Sequence, residues 1–165
     1  MSKANSTFYE QNNCMIEKST KRLVKGTSYS IIPDDIVSID VNAFNSCTSF
    51  NKISIPHSVK NIGGAAFRDC TGLKELTLPN SVENLGAHSF YGCANLTQFD
   101  FEENSSLSLI DNYAFCNCTS ITELVIPDSV TTINQYAFYG CTKLLKITMS
   151  ANVSSITTNT FCNCT

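Results

Sequence analysis

Apolar residues return at the same positions every 23 residues or so along most of this chain. The clearest marker is a Phe followed three residues later by a Cys, which occurs six times, at Phe44, Phe67, Phe90, Phe115, Phe138 and Phe161. Successive Phe residues are separated by 23, 23, 25, 23 and 23 positions. A fixed period of this length is typical of a solenoid, in which one short unit stacks on copies of itself.

Within each copy the pattern predicts a strand, a turn and a compact closing segment. Apolar residues two apart, such as Leu76 and Leu78, indicate a short strand with one buried face. Pro79 then ends the strand, because proline lacks an N–H and restricts φ. The i, i+3 spacing of the closing Phe and Cys suits one face of a single helical turn. We therefore expect an α/β fold: a right-handed solenoid of about six 23-residue repeats, with short parallel strands on one face and short helical turns on the other.

The N-terminal segment does not follow the period. Cys14–Glu17 and Arg22–Lys25 flank a polar stretch and predict a β-hairpin that covers the first repeat, as capping units of solenoids do. We assign residues 1–28 to an N-terminal tail and this capping hairpin, and we expect disorder before about Phe8.

The solenoid is assigned to residues 29–165, with the last repeat incomplete. It stops at Cys164 and Thr165, before the strand that follows Cys in every other copy. An unfinished copy leaves the flank of the stack uncovered. Two explanations remain open: the chain is a fragment of a longer array, or it self-associates end to end through the open C-terminal repeat.

Composition and charge exclude two classes of partner. The 165 residues are 42% hydrophobic and 15% charged, and the net charge of −3 offers no basic surface for nucleic acid. No stretch of about 18 apolar residues is present, so no membrane span is predicted. The opening residues are polar and lack the apolar centre of a secretory signal, which taken alone favours a cytoplasmic location.

The nine cysteines are the main candidates for chemistry. Six occupy the repeat position and are expected to be reduced thiols in the core, where Cys behaves as a small hydrophobe. The C-x-C spacing places neighbouring thiols on opposite sides of the backbone, which does not suit zinc. Cys116 and Cys162 directly follow a buried Phe, so we expect them to be exposed thiols about 10 Å apart. No metal or cofactor is predicted.

No catalytic residues are predicted, and we do not expect an enzyme. His57 and His88 lie in different columns of the repeat, and neither has a nucleophile and an orienting group at a suitable spacing.

A row of aromatic side chains is the best candidate for a binding surface. His88, Tyr113 and Tyr136 align two residues before the Phe, and Tyr91 and Tyr139 align directly after it. Tyr combines a large contact area with a polar tip. We predict a partner-binding ridge here, and the alternative that these rings only shield the turn remains open.

The repeat unit resembles the BspA-like leucine-rich repeats. Its signature combines a Leu-x-x-Leu-x-Leu-Pro strand, Ser-Val-x-x-Leu and Ala-Phe-x-x-Cys, and it is clearest from Ile126 to Cys141. The resemblance covers about residues 29–165. It implies a curved leucine-rich-repeat solenoid from a cell-surface or secreted protein, acting as a non-enzymatic adhesion module for a host protein or for a copy of itself. The alternative is an intracellular scaffold or a self-assembling structural subunit.

Overall fold

Thirteen short strands build the solenoid in the computed structural model, which describes residues 7–164. In chain order they are β1 (Phe8–Gln11), β2 (Cys14–Glu17), β3 (Arg22–Lys25), β4 (Ser38–Ile39), β5 (Asn61–Ile62), β6 (Glu75–Leu78), β7 (Asn84–Leu85), β8 (Gln98–Phe101), β9 (Leu109–Ile110), β10 (Glu123–Val125), β11 (Thr132–Ile133), β12 (Lys146–Thr148) and β13 (Ser155–Ile156). The third to sixth copies each contain a main strand, a second strand and a turn segment, whereas the first two contain only a second strand and a turn segment, with one isolated bridge between Lys52 and Glu75.

The main strands stack in parallel and in register, as the sequence predicts. Leu76 lies opposite Phe99 in the β6/β8 pair, and Leu124 lies opposite Ile147 in the β10/β12 pair. Alternate residues are buried, so that Leu76 and Leu78 point inward while Thr77 is exposed. The handedness of the connections stays a prediction.

A second column of two-residue strands was not predicted. Each strand contains the second of two apolar residues spaced three apart, such as Val82 and Leu85, together with the residue before it. The column joins β4, β5 and β7 in one group and β9, β11 and β13 in another. Ile39 lies opposite Ile62, and Ile62 lies opposite Leu85. Two residues are too few to show an alternating pattern, which is why the sequence did not reveal these strands.

The helical turns expected on the remaining face are absent: no helix occurs within residues 7–164. Asn42 and Ser46, on either side of Phe44, have φ angles of 57° and 60°, in the left-handed region that a right-handed helix excludes. The Phe44 N–H donates to Ala66 O in the next copy at 2.7 Å. Alternate N–H groups of the turn segments therefore form a third hydrogen-bonded ladder between copies, and the N–H groups between them bond to the carbonyl group three residues earlier in the same copy.

The core is a continuous stack of the repeat Phe rings. Successive rings from Phe44 to Phe161 have centroids 5.1 to 5.5 Å apart, and their planes lie within 12° of parallel. The Cys column runs beside this stack, and all nine cysteines are free. Cys93 Sγ, for example, donates to Phe67 O of the preceding copy at 3.1 Å.

The first repeat is covered by a three-stranded antiparallel unit. The hairpin pairs β2 with β3, with Glu17 opposite Arg22, and β1 adds a further strand. β3 then pairs in parallel with β4 of the first repeat. The division of the chain at residue 28 stays a prediction, and the disorder expected at the extreme N-terminus falls almost wholly on residues 1–6, outside the described part.

The fourth copy interrupts both strand columns. Its main strand β8 pairs with β6 before it but not with β10 after it, whereas its second strand β9 pairs with β11 after it but not with β7 before it. The two extra residues of the 25-residue copy lie between β8 and β9. The Glu102 carboxylate there accepts from the Asn80 N–H at 3.0 Å and contacts His57 Nε2 at 2.9 Å. The loop is thus held against the earlier copies, while β9 joins the later ones.

Candidate functional site

The five predicted aromatic residues lie together on the turn side of the solenoid, and we call them the aromatic ridge: His88, Tyr91, Tyr113, Tyr136 and Tyr139. Three of them form one stacked column. The rings of His88 and Tyr113 are 4.7 Å apart between centroids, and those of Tyr113 and Tyr136 are 4.8 Å apart. All five side chains are partly exposed.

The backbone of this column adopts a conformation that does not favour large side chains. His88, Tyr113 and Tyr136 have φ angles of 60°, 57° and 59°. Asn tolerates this left-handed region better than aromatic residues do, and Asn42 and Asn159 occupy the same position in other copies. His also tolerates this region, so local backbone preference leaves only the two tyrosines unexplained.

The second column of the ridge alternates large and small side chains from Tyr91 onward. It contains Arg68, Tyr91, Cys116, Tyr139 and Cys162 in successive copies. The Arg68 guanidinium lies over the Tyr91 ring, 4.8 Å from its centroid, and Arg68 Nε also contacts Asp69 Oδ2 at 3.2 Å. Tyr139 packs edge-on against Tyr136, with centroids 5.6 Å apart.

Asparagine side chains hold three of the tyrosine hydroxyl groups. Asn117 Nδ2 donates to Tyr91 Oη at 3.4 Å, and Asn159 Nδ2 donates to Tyr136 Oη at 3.1 Å. Asn163 Nδ2 donates to Tyr139 Oη at 2.7 Å. Each oxygen accepts a hydrogen bond from the protein, so each hydroxyl proton is free to be donated outward.

The two columns line a shallow, open recess of about 490 Å³. We call it the tyrosine recess; its lining residues are Tyr91, Tyr113, Cys116, Asn117, Tyr136, Tyr139, Asn159 and Cys162. Cys116 lies between Tyr91 and Tyr139 in its column, and its side chain is much smaller than either ring. The recess therefore opens where the column lacks an aromatic ring.

The tyrosine recess is electrically neutral. Burial raises the pKa of the Cys116 thiol to about 11, so that thiol is uncharged at neutral pH. Burial, together with the nearby Arg68 cation, lowers the pKa of His88, and Asp111 opposes this shift. Among the described residues that line the recess, none is Asp, Glu, Lys or Arg.

Comparison with known proteins assigns the repeats to a family. Residues 28–165 match the BspA type leucine rich repeat region in six copies. This chain belongs to the BspA type leucine-rich repeat family. No curated protein matches the sequence significantly.

Solved structures of bacterial leucine-rich repeat proteins share the fold. A leucine-rich repeat protein from Eubacterium ventriosum aligns with 98% of this chain at 19% identity and a TM-score of 0.82. A leucine-rich repeat protein from T. pallidum aligns with 85% at 26% identity and a TM-score of 0.72. A leucine rich cell surface protein from Faecalibacterium prausnitzii aligns with 87% at 21% identity and a TM-score of 0.55. The chain spans 48%, 66% and 55% of these three structures, respectively.

One of the two thiols expected to be exposed on this BspA type solenoid is buried. Cys116 is only 3% exposed, so the expectation for this residue is wrong. Tyr91 and Tyr139 flank it in the same column, and the Tyr91 hydroxyl reaches Asn117, the residue after Cys116. Cys162 is exposed, and its Sγ lies 3.4 Å from Asn159 Oδ1. The column position indicates the direction of a side chain but not how far its neighbours cover it.

Sequence reasoning missed the asparagines of the ridge. Asn117 and Asn163 fall within the two Cys-Asn-Cys segments, where the cysteines attracted attention instead. Their positions could have indicated these contacts. Each of the two asparagines lies two residues after the repeat Phe and one copy after the tyrosine that it contacts, which is Tyr91 for Asn117 and Tyr139 for Asn163.

Other chemistry is not evident in the described part of this repeat protein. Within residues 7–164 no group of three or more His, Cys, Asp or Glu side chains is arranged to hold a metal ion. In the same range no helix has the length and hydropathy needed to cross a membrane.

Proposed function

We propose that this chain is a non-enzymatic adhesion module that binds a partner protein through the aromatic ridge. The observation that carries the proposal is the column of His88, Tyr113 and Tyr136 at left-handed backbone positions. Such a conformation costs each of the two tyrosines about 1–2 kcal/mol, whereas Asn and His adopt it more readily. Aromatic side chains on a surface favour protein contacts because they bury a large area at low entropic cost.

We place the module at the cell surface or in a secreted protein. Membership of the BspA type family supports this location, as does the resemblance to a protein described as a leucine rich cell surface protein. A host protein and a second copy of this chain are both consistent with an exposed, neutral aromatic surface.

The test is capture of partner proteins by the wild-type chain and by the double variant Tyr113→Ala/Tyr136→Ala. The immobilised chains are incubated with own-cell and host-cell extracts, and bound proteins are identified by mass spectrometry. We expect the double variant to lose the specific partner, with binding weakened about tenfold or more, since central aromatic residues commonly contribute 2 kcal/mol or more.

Tyr29→Ala is the matched control, because Tyr29 is 78% exposed and lies at the N-terminal edge of the first repeat, away from the ridge. It should retain the partner that the double variant loses. Equal capture by all three chains, with circular dichroism showing that each is folded, would contradict the proposal.

A further inference from the structure

We propose that the tyrosine recess binds a proline-rich segment of the partner protein in the polyproline II conformation. This inference rests on the proposed function, because it names the ligand class of the same ridge. It is carried by three properties of the recess: its spacing along the solenoid, its outward hydrogen-bond donors and its neutrality.

The spacing of the recess is close to the repeat of a polyproline II helix. Tyr91 and Tyr139 lie in one column two copies apart, and the neighbouring ring columns advance 4.7 to 5.5 Å per copy here, which corresponds to about 9.5–11 Å over two copies. A polyproline II helix repeats every three residues, or about 9.3 Å. Two prolines three residues apart can therefore each lie against one of these rings, with the intervening residues over Cys116.

The donors suit a backbone that has no internal hydrogen bonds. All carbonyl groups of a polyproline II segment are free, and its prolines offer no N–H. Tyr91, Tyr136 and Tyr139 accept from asparagine side chains, so their hydroxyl protons remain available for ligand carbonyl oxygens. Aromatic-lined grooves that present such donors are a recurrent way of recognising proline-rich peptides.

The neutrality of the recess also favours an uncharged, proline-rich segment. A charged peptide would lose hydration in the recess without gaining an ionic partner, whereas a run of prolines carries no charged side chain. The rigidity of proline reduces the entropy lost on binding to a preformed surface.

The experiment measures fluorescence anisotropy of labelled decaproline, with a labelled (Gly-Ser)5 peptide of equal length as the flexible, uncharged control. We expect decaproline to bind the wild-type chain at least about tenfold more tightly than the control peptide. High salt should leave its affinity almost unchanged, because no ion pairs form. Equal affinity for the two peptides would overturn the proposal.

Two variants test the location. Cys116→Tyr fills the recess with a side chain that the same column already holds at Tyr91 and Tyr139. Tyr91→Ala/Tyr139→Ala removes the two rings, and both variants should weaken decaproline binding at least about tenfold, while Tyr29→Ala should not. Unchanged binding by folded forms of both variants would refute the assignment.

The outcomes separate this inference from the proposed function. If decaproline fails to bind while Tyr113→Ala/Tyr136→Ala still loses the captured partner, the ligand class is wrong and the adhesion role stands. If Tyr113→Ala/Tyr136→Ala captures the partner as well as the wild-type chain does, while decaproline binds in the recess, only the protein-adhesion assignment is wrong.

Discussion

The repeat Cys has a bonding role at the residue scale as well as a packing role. The Phe67 carbonyl oxygen accepts from the Cys70 N–H at 3.3 Å and from Cys93 Sγ of the next copy at 3.1 Å. The same pair of contacts recurs at Phe44, Phe90, Phe115 and Phe138. A buried carbonyl oxygen is most stable when both lone pairs are satisfied, and an Ala at this position would leave one empty.

Ser89 is the residue that conflicts most clearly with its surroundings. It occupies the small position before Phe90, where the neighbouring copies have Ala66 and Ala114. Its side chain is fully buried, and within residues 7–164 its Oγ has no hydrogen-bond partner. A buried hydroxyl without a partner lowers stability, because its hydration is lost and not replaced.

We predict that Ser89→Ala stabilises the protein by about 1 kcal/mol. Equilibrium unfolding in urea measures the free energy of unfolding directly. Ser108→Ala is the control, since Ser108 is exposed and its hydroxyl makes no hydrogen bond within residues 7–164, and it should change stability by less than about 0.5 kcal/mol. A loss of stability in Ser89→Ala would show that the hydroxyl group has a bonding role.

The turn segment is the element whose structure differs most from what the sequence predicts. Its φ angles direct the N–H groups of Phe44 and Ser46 to carbonyl groups of the next copy instead of along a helix. The Cys thiols add side-chain bonds between the same copies. This ladder is continuous past the fourth copy, where Phe90 N donates to Ala114 O at 2.9 Å and Phe115 N donates to Ala137 O at 2.8 Å.

The thiols of this ladder predict a loss of stability at alkaline pH. Burial raises the pKa of Cys70 and of Cys141 from 9.0 to about 12. The folded state therefore keeps these protons at pH values where the unfolded chain has released them. Their contribution to stability is complete below pH 9 and is lost as the pH rises toward 12.

The measurement is the free energy of unfolding at pH 8 to 11 for the wild-type chain and for Cys70→Ala/Cys141→Ala. Each thiol contributes a slope of up to about 1.4 kcal/mol per pH unit in this window. The stability of the double variant should thus fall less steeply, by about 1–3 kcal/mol per pH unit. Parallel curves for the two proteins would show that these thiols do not control the alkaline transition.

At the scale of the whole molecule, the fourth copy divides the strand ladders into two groups. The first group extends from β1 to β8, and the second begins at β9, with the two extra residues between them. The turn ladder and the Phe stack join the two groups. Opening of the solenoid is therefore expected to begin at the fourth copy, because fewer backbone bonds cross it.

Hydrogen exchange should detect this interruption. Glu83, Gly86 and Thr97 donate their N–H groups to the preceding copy, each at 2.9 Å. Within residues 7–164 the equivalent bonds are missing at Ser108, Asp111 and Thr122. We predict that these three amides exchange at least about tenfold faster than their three equivalents. Equal protection in the two sets would mean that the ladders are continuous in solution.

Much of the fold follows from the sequence because the repeat is regular. The Leu76 and Leu78 pattern predicted the main strand and its buried face, and the period predicted parallel stacking. The second strands did not follow because they are only two residues long, and the turn conformation did not follow because Phe and Cys three residues apart fit one face of a helical turn as well as they fit the observed turn. The ridge residues were named from the sequence, whereas their asparagine partners and the burial of Cys116 depend on contacts between copies.

The amino-acid sequence by itself determined that this protein is a solenoid of six similar units with Phe and Cys inside, because only stacking can bury an apolar face that each copy repeats. The tertiary structure decided the backbone conformation of the turns, the positions at which the strand ladders break and the grouping of Tyr91, Cys116 and Tyr139 around a neutral, open recess. Those features depend on the lateral spacing of neighbouring copies and on which N–H reaches which carbonyl group, and neither is encoded in the pattern of one repeat.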